Sequence, residues 1–404
     1  MNEREAPQNE PIVLARRAGA KRSRKKPPRS KMPRWVYIVI IVLLAVVVGL
    51  FVWFGIEDAA GMGQWFRSVT VGSGEGDGYP TDIVGSTVGR GNFLIENRNV
   101  VTVSDTALTA MNGSANRYIN RQHSFQNPAL RAANGRYLIY NLGGNGFKIE
   151  GSSQTMYTGQ TENNMMAADI ANSGRYALVT EMQGYAWGLQ VYLSDHTVQY
   201  KYNFSEYYIT DISLNGDGTR AAALGVTAKE GSLTSAVYIF DFSNPEPVAV
   251  LTYSEVLLER VEYMANGTVV AIGDTVTGMI NGTTGEKVDY QYQSRQMADF
   301  AIDRNRVALA LTPYDNRSAS KLVILDSGAT EICVIETQQK MDAVALYGDT
   351  AAILCGTEIS GYSASSGDLF GTVQAGPDAR SIGLSDEATI YILGISQIRQ
   401  ERFS

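Results

Sequence analysis

The residue types that enzymes and metal sites use most are scarce in this chain, which has two His and two Cys in 404 residues. His123 lies in NRQHSF and His196 in LSDHTV. A centre built on two imidazoles needs further ligands from distant segments. Neither His is accompanied by a G-x-S-x-G elbow that would frame a Ser nucleophile. Both are therefore expected as surface or turn imidazoles. Cys333 in EICVIE and Cys355 in AAILCG fall in apolar strand contexts. Free buried thiols are expected there, with a bond between neighbouring repeats as the alternative in an oxidising compartment. Carboxylates are plentiful, but the pairs Glu57/Asp58, Glu75/Asp77 and Asp386/Glu387 lie in spacer or turn sequence. A glycosidase needs its acids facing one another across a site. Asn215-Gly216-Asp217-Gly218 lacks the ligand count and terminal Glu of a calcium loop. No catalytic, cofactor-binding or metal-binding residue is expected, no cofactor is implied, and the ligand-binding residues stay unassigned. Among the 22 Tyr, Tyr207, Tyr208, Tyr290 and Tyr292 suit a contact rim, although packing between repeats is the expected use of most.

The elements that would hold such groups begin with an apolar segment. Trp35 to Ile56 carries no charged side chain; as a helix it is about 33 Å long, enough for a hydrocarbon core. Trp35, Tyr37 and Trp53 lie near its ends, where amphipathic rings prefer the interface. Residues 1–34 hold eleven Lys/Arg against three acids, and residues 57–404 hold 23 against 38. The Lys/Arg bias predicts a cytoplasmic tail (1–34), a transmembrane helix (35–56) and an exported remainder. Glu57-Asp58-Ala59-Ala60 is a poor cleavage site, which favours an uncleaved signal anchor over a signal peptide. The basic tail is read as a topology signal that also attracts anionic lipid. Residues 57–80, with Gly74, Gly76 and Gly78 alternating with acids, read as a flexible spacer; no strand precedes this segment, so a phosphate cradle is not expected.

Beyond residue 80 the sequence repeats. Tight turns between apolar strands centre on positions 98, 135, 174, 218, 267, 305, 349 and 387, a mean period of about 41 residues. DTALTAMNG (105–113) matches DTVTGMING (274–282) four periods later, and GTEISGYSASSG (356–367) follows after two more. VYLSD (191–195), VYIFD (237–241) and LVILD (322–326) keep the same spacing. The runs are β-branched and aromatic and are bounded by Gly, Asn and Asp, as strands are. Six Asn-Gly pairs, at Asn112, Asn134, Asn145, Asn215, Asn266 and Asn281, are expected to supply two-residue hairpins. The N-x-S/T matches at Asn112, Asn203, Asn266, Asn281 and Asn316 are read mainly as turn chemistry. Only Ser254–Arg260 suggests a helical turn. A four-stranded unit at this period predicts an all-β propeller over residues 81–404. Inner strands are expected near Phe93, Leu130, Ile170, Ile212, Val261, Phe300, Val344 and Ile382, giving eight blades, or seven if Phe93–Glu96 is not an inner strand. The last unit lacks a fourth strand, which Thr81–Val88 would supply to close the ring.

The turns INGTTGEKV (280–288) and YSASSGDLF (362–370) resemble those of quinoprotein-like propellers. The quinone-dependent members dock each blade with a recurring Trp, whereas this propeller has only Trp187, which argues against carrying their activity over. The period also resembles that of WD40 repeats, with Asp195, Asp241 and Asp326 after the third strand, but the WD Trp and the upstream Gly-His are absent. The overall plan of basic tail, single helix and exported propeller resembles a domain-of-unknown-function family of the 5711 type from Gram-positive bacteria. The expected role is a non-catalytic binding or scaffold module at the plasma membrane. Its partners would be an envelope protein or cell-wall glycan, with membrane lipid contacted through residues 35–56 and the tail. An extracytoplasmic hydrolase or lyase acting in the channel is the alternative, and a sensor working through the helix a third. An acidic exported body makes nucleic acid an unsuitable partner.

Overall fold

The second strand of each repeat, such as Tyr176–Thr180 or Thr268–Gly273, is buried at nearly every position. A strand covered on both faces needs a sheet on either side, and a ring of stacked sheets provides both. In the computed structural model, which describes residues 74–314 and 319–403, the chain forms eight antiparallel four-stranded sheets arranged as blades. No helix occurs among the described residues, so none there is long and apolar enough to cross a membrane. The expected span, residues 35–56, and the tail lie outside the described residues.

Strands within a blade are labelled a to d from the channel outward. The a strands are Val88–Glu96, Pro128–Ala133, Met165–Ile170, Tyr208–Leu214, Leu258–Tyr263, Arg295–Asp303, Ala343–Tyr347 and Ser381–Leu384 in blades 1 to 8. Each contains one of the eight expected inner positions, so the count is eight rather than seven. Blade 8 is completed by Thr81–Asp82, which pairs with Gln397–Arg402 through Thr81↔Ile398 and Asp82↔Gln397. The completing strand is shorter than the expected 81–88, because the chain must cross from rim to channel over residues 83–87 and Val88 already belongs to blade 1. Closure leaves no blade without two neighbours.

The core lies in the seams between blades. Among the described residues the buried apolar side chains fall into eight clusters, one per seam. In the seam between blades 3 and 4, Tyr200, Phe204, Tyr207, Tyr238 and Phe240 pack together, with Trp187 against them. Phe204 meets Tyr238 edge-on at 5.0 Å. In this seam Tyr and Phe rings do the packing, each fully buried apolar side chain contributing roughly 1.5–3 kcal/mol.

Two local expectations change. Ser254–Arg260 is no helical turn: Ala249–Ser254 is a d strand, Glu255 takes φ 58°, and the next a strand starts at Leu258. Of the six Asn-Gly pairs, only Asn134-Gly135 forms a two-residue hairpin with both φ values positive (50° and 72°). In four of the other five pairs the Asn side-chain oxygen accepts amides of a longer turn. Asn215 Oδ1 accepts the Thr219 and Arg220 amides at 2.9 Å each, and Asn281 Oδ1 accepts those of Thr283 and Thr284 at 2.9 and 3.0 Å. Asn is selected there as a backbone mimic. The final residues of the expected spacer are held in place, with the Gly78 amide on the Ser114 carbonyl at 3.1 Å and the Tyr79 ring 5.2 Å from that of Tyr391.

Candidate functional site

The a strands leave one edge facing a central channel, so their N–H groups need partners that a sheet cannot give. Side chains of the preceding blade supply them. Asn92 Oδ1 accepts the Leu130 amide at 3.0 Å, Asp211 Oδ2 that of Val261 at 3.0 Å, and Asp299 Oδ2 that of Val344 at 2.9 Å. One residue pair further along, Asp169 Oδ2 accepts the Leu214 amide at 2.7 Å and Ser213 Oγ that of Tyr263 at 3.0 Å. Asp211, Arg260 and Asp299 each follow a bulge in their a strand. A bulge re-aims the residue after it, and these three line the channel or brace its wall.

The channel encloses about 870 Å³. Arg131 of blade 2 reaches past blade 3 to Asp211 of blade 4, Nη2 to Oδ1 at 2.8 Å. Arg260 of blade 5 approaches Asp211 Oδ2 at 3.7 Å and pairs with Glu262 at 3.0 Å. Arg90, carried on a bulge of the first a strand, lies 3.8 Å from Asp299 across the opening. Burial raises the Asp169 carboxyl to about 6, against the pull of Arg131, the Leu214 amide and Arg260. Burial likewise raises Asp299, opposed by the Val344 amide and Arg90. Asp211 accepts from Arg131 and the Val261 amide and lies near the Arg260 guanidinium.

The expected residues are placed elsewhere. His123 Nε2 lies 3.0 Å from the Ser104 carbonyl oxygen and its ring stacks on Phe125; His196 stacks on Tyr157 at 3.8 Å in a turn of blade 3. Burial lowers the pKa of both imidazoles, and neither lines the channel. Cys333 and Cys355 are free, as expected, but half-buried rather than buried, and both pack against the seam of blades 6 and 7. Tyr207 and Tyr292 are core residues, while Tyr208 is 59% exposed. Asp195, Asp241 and Asp326 cap turns, accepting the amides of Thr197, Ser243 and Gly328 at 2.8 to 3.0 Å. Asp386 caps Ala388 and Thr389 in the same way. Among the described residues no group of three His, Cys, Asp or Glu is placed to hold a metal ion.

The acids the sequence placed mostly in spacer and turns also occupy inner strands. Asp169, Asp211 and Asp299 had one legible signal: a charged residue inside an apolar strand at repeat spacing, in Ala168-Asp169-Ile170, Thr210-Asp211-Ile212 and Ala298-Asp299-Phe300.

Eight blades around a charged channel, closed by pairing the first strand with the last, define an eight-bladed β-propeller. The chain belongs to a Family of unknown function (DUF5711), whose model matches residues 82–373. No curated protein matches the chain. Solved structures that share the fold include the following three. The C-terminal WD40 domain of Sif2 has a TM-score of 0.59 at 9% identity, covering 81% of this chain and 98% of that one. BamB from Moraxella catarrhalis has a TM-score of 0.52 at 9% identity, covering 80% and 100%. The quinohemoprotein alcohol dehydrogenase ADHIIG from Pseudomonas putida HK5 has a TM-score of 0.55 at 7% identity, covering 81% and 76%. At these identities the likeness is one of fold, and the fold serves binding domains and enzymes alike.

Proposed function

We propose that this chain is a membrane-anchored, extracytoplasmic propeller acting as a non-catalytic binding or scaffold module for an envelope protein or a cell-wall polymer. The observation that supports this reading best is the commitment of the channel charges to the scaffold. Asp169, Asp211 and Asp299 each hold a backbone amide of the next blade, and Arg131 and Arg260 are spent on Asp211 and Glu262. Groups bound in this way brace the ring rather than wait for a substrate. The uncharged run from Trp35 to Ile56, flanked by Lys/Arg on its N-terminal side, supports the anchor and its orientation.

Cross-linking and recovery of the full-length protein from its native membrane tests the role. One stoichiometric envelope partner is the expected result; bulk glycan alone would move the reading to wall binding, and neither would sink it. Protease added to intact cells should remove the propeller and spare the tail; a protected propeller would overturn the orientation. A channel hydrolase or lyase is the second reading because Asp169, whose carboxyl burial raises to about 6, lines the cavity. Its test is Asp169→Asn, which would abolish turnover of any glycan substrate found while leaving its binding intact.

A further inference from the structure

Strand direction alternates, so the b–c turns and the crossovers between blades share one face, the crossover face, and the a–b and c–d turns share the other. On blades 3 to 5 the crossover face differs from the rest of the ring. Strands b and c of blade 4, Arg220–Lys229 and Ser232–Asp241, are ten residues each, longer than any other b or c strand among the described residues. Strand a pairs with this hairpin only as far as Tyr208↔Val226, and strand d only as far as Thr234↔Ser254. Residues 227–232 therefore project beyond the ladders of strands a and d, and the Leu233 carbonyl takes the last backbone bond, from the Glu255 amide. Their two-residue turn, Glu230-Gly231, has φ 51° and 84°, the geometry that matches strand twist and keeps a hairpin stiff.

Around this hairpin lie four large exposed apolar residues: Tyr185 (49%), Tyr208 (59%), Leu233 (41%) and Leu257 (40%). Hydrogen bonds fix the segments that carry them: the Ala186 amide meets the Phe204 carbonyl at 2.8 Å, the Glu255 amide the Leu233 carbonyl at 2.8 Å, and Ser235 Oγ bridges the Val256 carbonyl and the Leu258 amide. Exposed Glu181, Glu206, Glu230, Glu255 and Glu259 rim them. The nearby cation Lys229 is paired with Glu206 at 2.7 Å. An apolar centre with aromatic rings inside a charged rim is the composition of a protein contact surface.

We infer that this face of blades 3 to 5 docks a protein whose own surface presents an apolar centre rimmed by Lys and Arg. The inference rests on the binding reading above and assigns its surface. The charge of the rim selects the occupant. A second copy meeting this face by two-fold symmetry would set Glu against Glu, and anionic lipid would be repelled in the same way. Residues 74–78, the first described, lie against the other face, where the Gly78 amide bonds the Ser114 carbonyl in a c–d turn.

The test places a photo-cross-linking residue at Leu233 or Leu257 of the full-length protein in its membrane, with Thr284, exposed in a c–d turn, as control. The expected result is a cross-link from both positions, absent at Thr284, to one protein at a segment flanked by Lys and Arg. Glu206→Lys, Glu230→Lys and Glu255→Lys together should reduce the cross-link at least tenfold, and reversal of the partner's Lys to Glu should restore it. Unchanged melting of the triple variant separates lost docking from lost fold. A cross-link to another copy, to residues 1–34, to lipid, or to an acidic surface overturns the proposal. A partner captured only at Thr284 overturns it while sparing the scaffold reading, and the absence of any partner at all three positions sinks both.

Discussion

At the scale of single residues, Asp211 binds more of the ring together than any other side chain in the channel. It is 4% exposed and joins blades 2, 4 and 5 through Arg131, the Val261 amide and Arg260. Asp211→Ala takes the carboxylate partner from Arg131 and the acceptor from the Val261 amide, leaving Arg260 only Glu262, and is expected to cost about 3–5 kcal/mol, read as a lowered denaturation midpoint; a loss under 1 kcal/mol would show that the network is a surface ornament. Asp169 gives a pH signature. Its folded-state pKa of about 6 lies above the ordinary 3.8, so the folded chain holds the proton more tightly. The resulting stabilisation is complete below about pH 4 and is lost as pH rises through about 6. The charges facing it are Arg131 on blade 2 and Arg260 on blade 5. Asp169→Asn stays neutral and can still accept the Leu214 amide, so its stability should gain on the parent between pH 4 and 7 by up to about 3 kcal/mol. Denaturant titrations across that range check this, and a pH-independent difference would refute it.

At the scale of elements, the weakest link is the two-residue strand that closes the ring. Thr81–Asp82 makes few bonds of its own, but Tyr79 beside it packs on Tyr391 and donates its hydroxyl to the Asn112 carbonyl at 2.9 Å. A chain beginning at Thr87 loses both and bares the edge of Gln397–Arg402. It should melt earlier than the parent and associate as concentration rises, measured by calorimetry and light scattering. A monomeric product with unchanged melting would show that closure rests on the seams alone. Element positions were largely legible in the sequence: the eight turn centres fall at the a–b turns, and VYIFD and LVILD end third strands. Asn-Gly was misleading for five of six pairs, because the same dipeptide serves a two-residue hairpin or a capped longer turn depending on how far apart the strands stand.

At the scale of the whole molecule, every blade packs on two neighbours, so no seam can open without straining the rest. Unfolding of the propeller should be one transition, coincident by near- and far-ultraviolet circular dichroism; separated transitions would mark a seam that opens first. The charge division also acts at this scale, since residues 57–404 carry 38 acids against 23 Lys/Arg and the tail carries the reverse bias. Repeat length, strand character, blade number and the ring-closing strand were all determined by the sequence, because each depends on local periodicity and turn chemistry. The channel network, the seam aromatics and the grouping of Tyr185, Tyr208, Leu233 and Leu257 were decided only by tertiary structure. Arg131 and Asp211 stand 80 residues apart, and no local pattern reports a contact made when curvature of the ring carries one blade's arginine past its neighbour to the next.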